Sequence, residues 1–512
     1  MNFEEFTYKT GQRLCLGLPT KVLSDDFVEA VKRHKIGNAI LFSRNLHDEE
    51  QILELTNGIS KLIVSETGKK PFIMVDEEGG IMSRFPERLR CSPTAMALGL
   101  LDNEELSYKS GLCNGKMLSS LGINYNLAPS VDVNTCPDNP VIGVRSLSSD
   151  SKVVARNAIA IIRGQRDGAV YSAIKHFPGH GDTSSDTHLA LPMVSSSEKE
   201  LEKHIFPFKE AIKYGIDSIM TSHILFPALE KKKLPATMSK AIIKDYLRGS
   251  LGYDGVVLSD CMEMDAIRRY YGSEEGAFMA MKASVDIVLV SHHADVAVSI
   301  CKALEEKYKN GEFSDDEIDA SFNRICTLKN KKLECICNED DFQKYKTELK
   351  EAFKTTIGSI SGHLPTYDKD SIFIGIADFG NSNIGSFEDE HPKFGSYLAN
   401  ALGAIAVDAH AEPSDEEINS IVNRARNCKN IYFGSYNSHR FPKQRKLIEK
   451  LLALKKNFVI VALCNPYDLD KEIRAKSCCS IVAWDYSLLV LDYLAKAIKE
   501  GYIKKIDFEL GI

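Results

Sequence analysis

The stretch of this chain richest in side chains that can do chemistry is K-H-F-P-G-H-G-D-T-S-S-D-T-H-L-A-L-P, residues 175–192. It holds three histidines, two aspartates and a lysine. Its glycines and prolines argue against a regular helix or strand and indicate a long structured loop. Because loops on a rigid scaffold commonly carry binding and catalytic side chains, we predict that this loop is functional rather than only a polar turn.

Within this loop, Asp186 and His188 are two positions apart. In an extended loop, that spacing places both side chains on the same side. A carboxylate beside an imidazole can accept the Nδ1 proton, orient the ring and raise its pKa toward the working pH. The pair is therefore predicted to move protons.

A second candidate is Asp260, which follows an apolar run in D-G-V-V-L-S-D-C-M-E-M-D-A-I, residues 254–267. An ionised carboxylate at the end of a strand is well placed to attack the anomeric carbon of a sugar. The same residue could instead cap a following helix, because aspartate is a common N-cap. The residues alone leave both interpretations open.

A third candidate is Asp76 in F-I-M-V-D-E-E-G-G-I-M-S-R-F, residues 72–85. The glycine pair allows a tight turn after the strand, which would leave Asp76 presented at its end. One carboxylate there could accept hydrogen bonds from two adjacent sugar hydroxyls. Glu77 and Glu78 are interpreted as structural or solvated.

A fourth candidate region is residues 124–147, which contains Asp132 and Arg145. An arginine in a proline-bounded loop beside carboxylates can donate several fixed hydrogen bonds to sugar oxygens. A surface salt bridge is the alternative for Arg145.

The elements that would position these residues are eight short apolar segments, each followed by a polar or glycine-bearing stretch and then a helical one. This alternation predicts a (β/α)₈ barrel. Active sites in that fold lie at the carboxyl ends of the strands. The candidate strands are 14–19, 39–45, 72–78, 123–133, 171–179, 218–224, 255–261 and 286–292. The polar residues at or just past their ends are Arg44, Asp76, Asp132, Lys175, His176, His223 and Asp260.

A second α/β pattern follows the barrel region. Its candidate strands, 372–378, 404–409, 431–436, 458–464 and 480–484, alternate with helical stretches and predict an open parallel sheet between helices. We therefore expect a barrel over residues 1–333, a linker ending in a helix over 334–360 and an α/β sandwich over 361–512.

The composition excludes several classes of protein. The 512 residues are 44% apolar and 26% charged, which is ordinary for a globular chain. The net charge of −7 is spread along the sequence without a basic run, so nucleic-acid binding is not expected. Neither a signal peptide nor an apolar run long enough to span a bilayer is visible. With 13 scattered cysteines, these features predict a cytoplasmic protein without membrane association.

Taken together, these motifs resemble the β-N-acetylglucosaminidases of glycoside hydrolase family 3. The resemblance covers roughly residues 10 to 330 and follows the order of motifs that the family uses. Its most specific part is K-H-F-P-G-H-G-D-T-x-x-D-x-H-x-x-L-P, whose D-x-H marks the glucosaminidase branch. The other matching motifs are R-N at 44–45, V-D-E-E-G-G at 75–80, N-L-A-P-S-V-D-V at 126–133, N-P-V-I-G-V-R-S at 139–146, M-T-S-H at 220–223 and V-V-L-S-D-C-M-E-M at 256–264.

The resemblance implies a retaining, exo-acting β-N-acetylglucosaminidase that needs no metal or organic cofactor. It implies Asp260 as nucleophile, His188 as acid/base and Asp186 as its partner. The sugar would be bound by Asp76, Arg145, Lys175 and His176, with Asp132 and His223 as weaker candidates. The substrate would be a small carbohydrate, such as a muropeptide fragment with terminal β-GlcNAc in cell-wall recycling, and the enzyme a monomer or homodimer.

The sequence departs from the family pattern at two positions. Ile81 stands where the family usually has an arginine after the glycine pair, so that contact is absent or supplied by Arg84. Cys261 stands beside the predicted nucleophile where an acidic residue is common, which would alter the local charge.

Four alternatives remain open at this stage. A histidine acid/base would permit phosphorolysis, with inorganic phosphate replacing water, since a neutral imidazole does not repel an incoming phosphate as a carboxylate base would. A β-glucosidase of the same family is a second alternative. A metal-dependent hydrolase using His176, His180, Asp182 and His188 lacks the helical histidine spacing of such enzymes. A non-catalytic sugar-binding protein would not need the nucleophile and the acid/base together.

Overall fold

The computed structural model describes residues 1–183, 191–378 and 392–508. The chain divides into two units. The first comprises residues 1–78, 82–92 and 102–346, and the second comprises residues 79–81, 93–101 and 347–512.

The first unit contains a closed barrel of eight parallel strands in sequence order, which confirms the predicted fold. The ring closes where the first and last strands pair, with Leu14 opposite Val288. The strands are β1 Leu14–Gly17, β2 Asn38–Leu41, β3 Phe72–Val75, β4 Tyr125–Asn126, β5 Tyr171–Phe177, β6 Ser218–Thr221, β7 Val256–Cys261 and β8 Ile287–Val290. Strand β4 is much shorter than the predicted 123–133, and Pro129 in the following segment lacks the backbone N–H that a longer ladder would use.

Helices surround this barrel. Those of the first unit are α1 Phe3–Gly11, α2 Asp25–His34, α3 Glu49–Thr67, α5 Glu104–Ser120, α6 Ser151–Asp167, α7 Glu198–Tyr214, α8 Asp265–Arg268, α9 Ser273–Lys282, α10 Ala294–Lys309 and α11 Asp315–Asn330, together with a π-helix at Ala241–Ser250. Helix α4, Ala95–Leu101, belongs to the second unit, and α12, Glu339–Lys354, crosses the boundary between the units.

Local sequence signals determine where helix α7 begins and ends. The Ser197 side chain accepts a hydrogen bond from the backbone N–H of Glu200, and the Glu200 carboxylate accepts one from the backbone N–H of Ser197. This reciprocal capping satisfies two N–H groups that would otherwise lack partners. The helix ends at Gly215 with φ 86°, a left-handed conformation that favours glycine. The chain can therefore turn directly into β6.

Two glycines allow helices α5 and α6 to pack closely. A Cβ at Gly111 would lie 2.0 Å from the carbonyl oxygen of Ile161, and one at Gly164 would lie 2.1 Å from that of Tyr108. Any side chain at either position would push the helices apart. This helix pair leads into β4 and β5, and the polar segments that follow these two strands carry Asp132, Lys175 and His176.

A buried carboxylate, Asp286, lies just before β8. It is fully buried and lies 2.6 Å from Arg248 and 2.9 Å from Arg324. It also accepts hydrogen bonds from the Ser321 hydroxyl and the Val257 backbone N–H. Although burial alone would raise the pKa of Asp286, Arg248 and Arg324 hold it below its usual value, so the group is ionised. Asp286 thereby connects β7, β8, helix α11 and the π-helix.

The second unit contains a six-stranded mixed sheet in the order β11-β10-β12-β13-β14-β9. The five predicted strands are present and parallel, whereas β9 was not predicted and pairs antiparallel with β14 at the edge. The strands are β9 Gly358–Gly362, β10 Ser371–Ile376, β11 Ile405–Ala409, β12 Asn430–Ser435, β13 Asn457–Ala462 and β14 Cys479–Val482. The remaining helices are α13 Phe394–Leu402, α14 Asp415–Arg426, α15 Pro442–Leu452, α16 Lys471–Lys476 and α17 Leu488–Glu500.

In the described ranges, no helix is both long enough and apolar enough to cross a membrane.

Replacing Asp286 with alanine should destabilise the barrel by roughly 3–5 kcal/mol, because two guanidinium groups that are only 11% and 15% exposed would lose their shared counter-charge. The measurement is the free energy of urea unfolding, followed by circular dichroism. Asp265→Ala is the matched control, since Asp265 is half exposed and pairs with Arg268 and Arg269 on the surface. The control should change the free energy by less than about 1 kcal/mol. Equal effects of the two substitutions would contradict the assigned role of Asp286.

Candidate active site

The carboxyl ends of the barrel strands bring most of the predicted site residues to one end of the first unit. Asp76 follows β3, Asp132 follows β4, Lys175 and His176 are in β5, His223 follows β6 and Asp260 is near the end of β7. Asp186 and His188 lie outside the described residues.

Lys175 and Arg145 are held by a network of carboxylates. The Lys175 ammonium lies 2.6 Å from an oxygen of Asp76 and 2.6 Å from an oxygen of Glu78. Arg145 donates two hydrogen bonds to the Glu78 carboxylate, of 2.9 and 2.8 Å. Only 4% of the Glu78 side chain is exposed. Burial alone would raise the pKa of Glu78, but Arg145 and Lys175 hold it well below its usual range. Glu78 is therefore an ionised bridge between two cations.

The neighbouring Glu77 has a different environment. It is fully buried, and one carboxylate oxygen accepts hydrogen bonds of 2.8 Å from the Ser83 hydroxyl and 3.0 Å from the Arg84 backbone N–H. Burial raises the pKa of Glu77 to about 7. The side chains of both glutamates are buried and held by hydrogen bonds or ion pairs, so the structural interpretation applies to each and neither residue is solvated. The importance of Glu78 was missed, because two adjacent glutamates give no sequence signal of which one reaches Lys175.

Asp132 organises the start of the histidine-rich loop. This fully buried carboxylate accepts hydrogen bonds from the backbone N–H groups of His176 and His180, at 3.2 and 2.6 Å. Its Oδ2 lies 2.7 Å from the His176 Nδ1. Because Asp132 exposes no surface, it can act on a bound sugar only through the groups that it positions. The chief of these is the His176 ring.

Asp260 lies near the end of β7 and is partly exposed. Its Oδ1 accepts a 2.7 Å hydrogen bond from the backbone N–H of Cys261. Burial alone would raise the pKa of Asp260, but His223 and His176 lower it below its usual value, with a smaller contribution from Lys175. The carboxylate is therefore ionised at neutral pH, as a nucleophile must be.

His223 fixes the backbone beside Asp260. Its Nε2 lies 2.9 Å from the carbonyl oxygen of Cys261, and its Nδ1 lies 2.9 Å from the Thr237 hydroxyl. Burial lowers the pKa of His223, which favours the neutral ring. Since a carbonyl only accepts, the proton of that neutral ring is on Nε2, beside the Cys261 carbonyl oxygen. His223 thus positions the end of β7.

The two departures from the family pattern are Cys261, beside Asp260, and Ile81, whose missing contact Arg84 could supply. Burial raises the pKa of the Cys261 thiol to about 12, so a neutral group stands beside Asp260. Its sulfur lies 3.7 Å from Glu263, which also pairs with His293 at 2.6 Å. Arg84 places its guanidinium 5.8 Å from the centre of the Phe42 ring.

The side chain of Arg44, also expected at the rim, donates to the carbonyl oxygens of Leu18 and Ser291. It thereby ties together the segments that follow β1 and β8. In the part of the chain that the structure describes, no three His, Cys, Asp or Glu side chains are grouped as they would be around a metal ion.

The chain is similar to known proteins over most of its length. Residues 9–328 match the family model described as "Glycosyl hydrolase family 3 N terminal domain". A Beta-hexosaminidase A of Pseudoalteromonas piscicida is 35% identical over 332 residues, which are 60% of this chain and 56% of that protein. A Beta-hexosaminidase of Hydrogenovibrio crunogenus is 35% identical over 262 residues, which are 50% of this chain and 71% of the relative.

Similarity to solved structures extends over nearly the whole chain, as one example shows. It is a glycoside hydrolase family 3 β-N-acetylglucosaminidase from Paenibacillus sp. str. FPU-7, with a TM-score of 0.88 and 31% sequence identity. The match covers 99% of this chain and 98% of that structure. The similarity therefore includes both units.

The two neighbouring glutamates should give opposite pH dependences of stability. Glu78 has a lowered pKa, so its contribution is fully present above about pH 4.5 and is lost as the pH falls below that value. Glu78→Gln should therefore lower the free energy of unfolding by on the order of a few kcal/mol at pH 7, and this difference from wild type should become smaller in acid. The measurement is urea unfolding of wild type and variant between pH 3 and pH 8.

Glu77→Gln is the matched control. The pKa of Glu77 is raised to about 7, so wild type loses stability as the pH rises from about 4.5 to 7 and buried Glu77 ionises. The free energy of unfolding of this variant should equal that of wild type in acid and should exceed it above pH 7. If both differences changed with pH in the same direction, the two assigned charge states would be wrong.

Proposed function

Because the chain belongs to glycosyl hydrolase family 3, we propose that it is a retaining, exo-acting β-N-acetylglucosaminidase with Asp260 as its nucleophile. The observation that carries the proposal is the ionised Asp260 carboxylate near the end of β7, at the end of the barrel that also presents Lys175, Asp76 and Arg145. Support for the substrate comes from the relatives named β-hexosaminidase and β-N-acetylglucosaminidase.

In the first step of the proposed mechanism, an oxygen of Asp260 forms a bond to the anomeric carbon while the glycosidic C–O bond breaks. His188 donates its proton to the departing oxygen, and Asp186 holds the His188 ring in the orientation that this transfer requires. The product of this step is a covalent glycosyl-enzyme and a free aglycone.

In the second step, neutral His188 accepts a proton from water as the water oxygen attacks the anomeric carbon. The ester bond to Asp260 breaks, and its electron pair returns to the carboxylate. Two inversions at the same carbon leave the β configuration unchanged.

The remaining residues bind the sugar in this proposal. Asp76 shares the Lys175 ammonium and is partly exposed, so it can accept hydrogen bonds from sugar hydroxyls. Lys175 and Arg145 are held by Glu78 and present donors of fixed position. His176 is oriented by Asp132, and His223 holds the backbone of Cys261. Such preorganised groups favour the transition state because they need not rearrange when charge develops.

We extend the proposal to the physiological substrate and place. The substrate is a small carbohydrate with terminal β-GlcNAc, such as a muropeptide fragment in cell-wall recycling, and the enzyme acts in the cytoplasm. Water rather than phosphate is the acceptor. This extension depends on the family resemblance and on the names of the relatives.

Asp260→Gly should lower kcat/KM for 4-nitrophenyl β-N-acetylglucosaminide by at least about 10³-fold, because no covalent intermediate can form. Added azide should restore turnover by entering the space of the lost carboxylate, and the product should be the α-glycosyl azide. Nuclear magnetic resonance identifies its configuration. Asp265→Asn, an exposed carboxylate in the next helix, is the control and should retain wild-type activity.

Rescue without an α-azide product would contradict the nucleophile assignment. The wild-type assay is run in phosphate buffer, where we expect free GlcNAc as the product. Accumulation of GlcNAc 1-phosphate would overturn the hydrolytic part of the proposal.

His188→Gln should separate substrates by leaving group. An unactivated GlcNAc disaccharide needs a proton on its leaving oxygen, and its kcat/KM should fall at least about 100-fold more than that of the 4-nitrophenyl glycoside. Azide should now give the β-glycosyl azide, because it replaces water in the second step. His363→Gln, an exposed histidine of the second unit, is the control. Equal losses on both substrates would show that His188 is not the acid/base.

A further inference from the structure

A cavity lies at the amino ends of the barrel strands, opposite the proposed active site. Its volume is about 570 Å³, within the range of small-molecule sites. It is formed by the end of α3, the first residues of β3 and β5, the end of α11 and the segment that follows α11. The proposed active site lies at the carboxyl ends of the same strands, so the two sites are distinct.

The charged side chains that line this cavity are strongly unbalanced. The lining includes one carboxylate, that of Glu334, and five lysines, which are Lys69, Lys70, Lys329, Lys331 and Lys332. Lys331 pairs with Asp217 at 2.6 Å. Within the described residues, the other four lysines have no carboxylate at ion-pair distance. Like charges gathered around one cavity repel each other, so this arrangement has an electrostatic cost when the cavity holds only water.

Helix dipoles account for part of this arrangement. Helices α3 and α11 both end at the cavity, and cations near a helix C-terminus are favourable by about 0.3–1 kcal/mol each. The effect falls off within the last turn. It explains lysines at each helix end but not the presence, around one cavity, of four lysines that have no carboxylate partner among the described residues.

Lys329 is the most constrained of these cations. Its ammonium donates hydrogen bonds to the Gln12 side-chain oxygen at 3.0 Å and to the Gly37 carbonyl at 2.9 Å. It also lies 5.2 Å from the centre of the Phe72 ring. All three partners are neutral. The ammonium therefore has only neutral hydrogen-bond partners, and an anion in the cavity would supply its counter-charge.

The pKa of Lys329 reflects this environment. Burial lowers it to about 7, with a further lowering by Lys69, whereas the thiols of Cys326 and Cys15 act in the opposite direction. At neutral pH the group is therefore close to its titration midpoint. A bound anion would favour the charged form and raise this pKa.

We propose that this lysine-lined cavity binds a small, multiply phosphorylated molecule. Several ammonium groups around one space match several phosphate groups, since lysine binds phosphate as a compact point charge. A single carboxylate would leave most of the lysines without a counter-charge. The ligand contacts none of the catalytic residues, so this proposal and the proposed hydrolase activity can fail independently.

The first test is titration calorimetry of the full-length chain with inorganic tripolyphosphate, in the presence of a chelator. Wild type should bind, and the double variant Lys70→Gln/Lys332→Gln should lose at least about tenfold in affinity. The control is Lys199→Gln/Lys232→Gln, which removes two exposed lysines outside the cavity and should stay within about twofold of wild type. All three proteins should hydrolyse the 4-nitrophenyl glycoside equally.

Three outcomes would overturn this proposal: no binding by wild type, undiminished binding by the cavity variant, or equal losses in both double variants. The last outcome would indicate attraction by net charge alone. Loss of glycoside hydrolysis in all the proteins would instead bear on the proposed function.

The second test uses inositol hexasulfate, whose charge stays constant between pH 6 and pH 9. Wild-type affinity should be highest below about pH 7 and fall above it, because binding then requires protonation of Lys329. In Lys329→Gln the affinity should be weaker and should not change over this interval. If the affinity of this variant depended on pH as that of wild type does, Lys329 would not be part of the proposed site.

Discussion

Glu78 holds Lys175 and Arg145 together from a position with almost no access to water. Long cationic side chains lose much of their rotamer freedom when they are fixed, and burial would favour their neutral forms. The carboxylate between them compensates for both effects, because its two oxygens serve the two cations at once. Asp76 is then a second, partly exposed partner of Lys175 rather than its only anchor. The geometry of this end of the barrel therefore depends on a residue that need not contact the sugar itself.

The same logic explains how Asp260 remains ionised. Partial burial of Asp260 would favour the protonated carboxyl group. His223 and His176 offset that effect, and each of them is held by a partner. Asp132 orients His176, while the Cys261 carbonyl and Thr237 orient His223. Since the neighbouring Cys261 thiol is neutral, it adds no negative charge beside the Asp260 carboxylate.

Much of this arrangement could be predicted from the sequence because it follows from topology. Buried parallel strands appear as short apolar runs, and a closed barrel brings the residues after each run to one end. Asp76, Lys175 and Asp260 were placed there on that basis alone. The complete burial of Asp132 and the bridging position of Glu78 could not be predicted, because both depend on contacts between distant loops.

The missed strand β9 has a similar cause. Its sequence, Gly-Ser-Ile-Ser-Gly, contains one large apolar residue, and its glycines weaken the propensity for a strand. Pairing with β14 on one side stabilises this strand, and on the other side Ser359 exchanges backbone hydrogen bonds with Lys504 and Ile506. Tertiary context here overrides local composition.

The two ends of the barrel show how one fold separates opposite charges. Helix N-termini lie toward the carboxyl ends of the strands and favour carboxylates, whereas helix C-termini lie at the other end and favour lysines. At the carboxyl end, Asp76 and Glu78 each have a cation within about 3 Å, and Asp132 accepts hydrogen bonds from two backbone N–H groups. At the amino end, Lys331 alone among the lysines that line the cavity pairs with a carboxylate of the described part of the chain. Helix dipoles bias both ends equally, so the unbalanced charge at one end calls for a further cause. A ligand that carries the missing negative charge is the simplest one consistent with a cavity at that position.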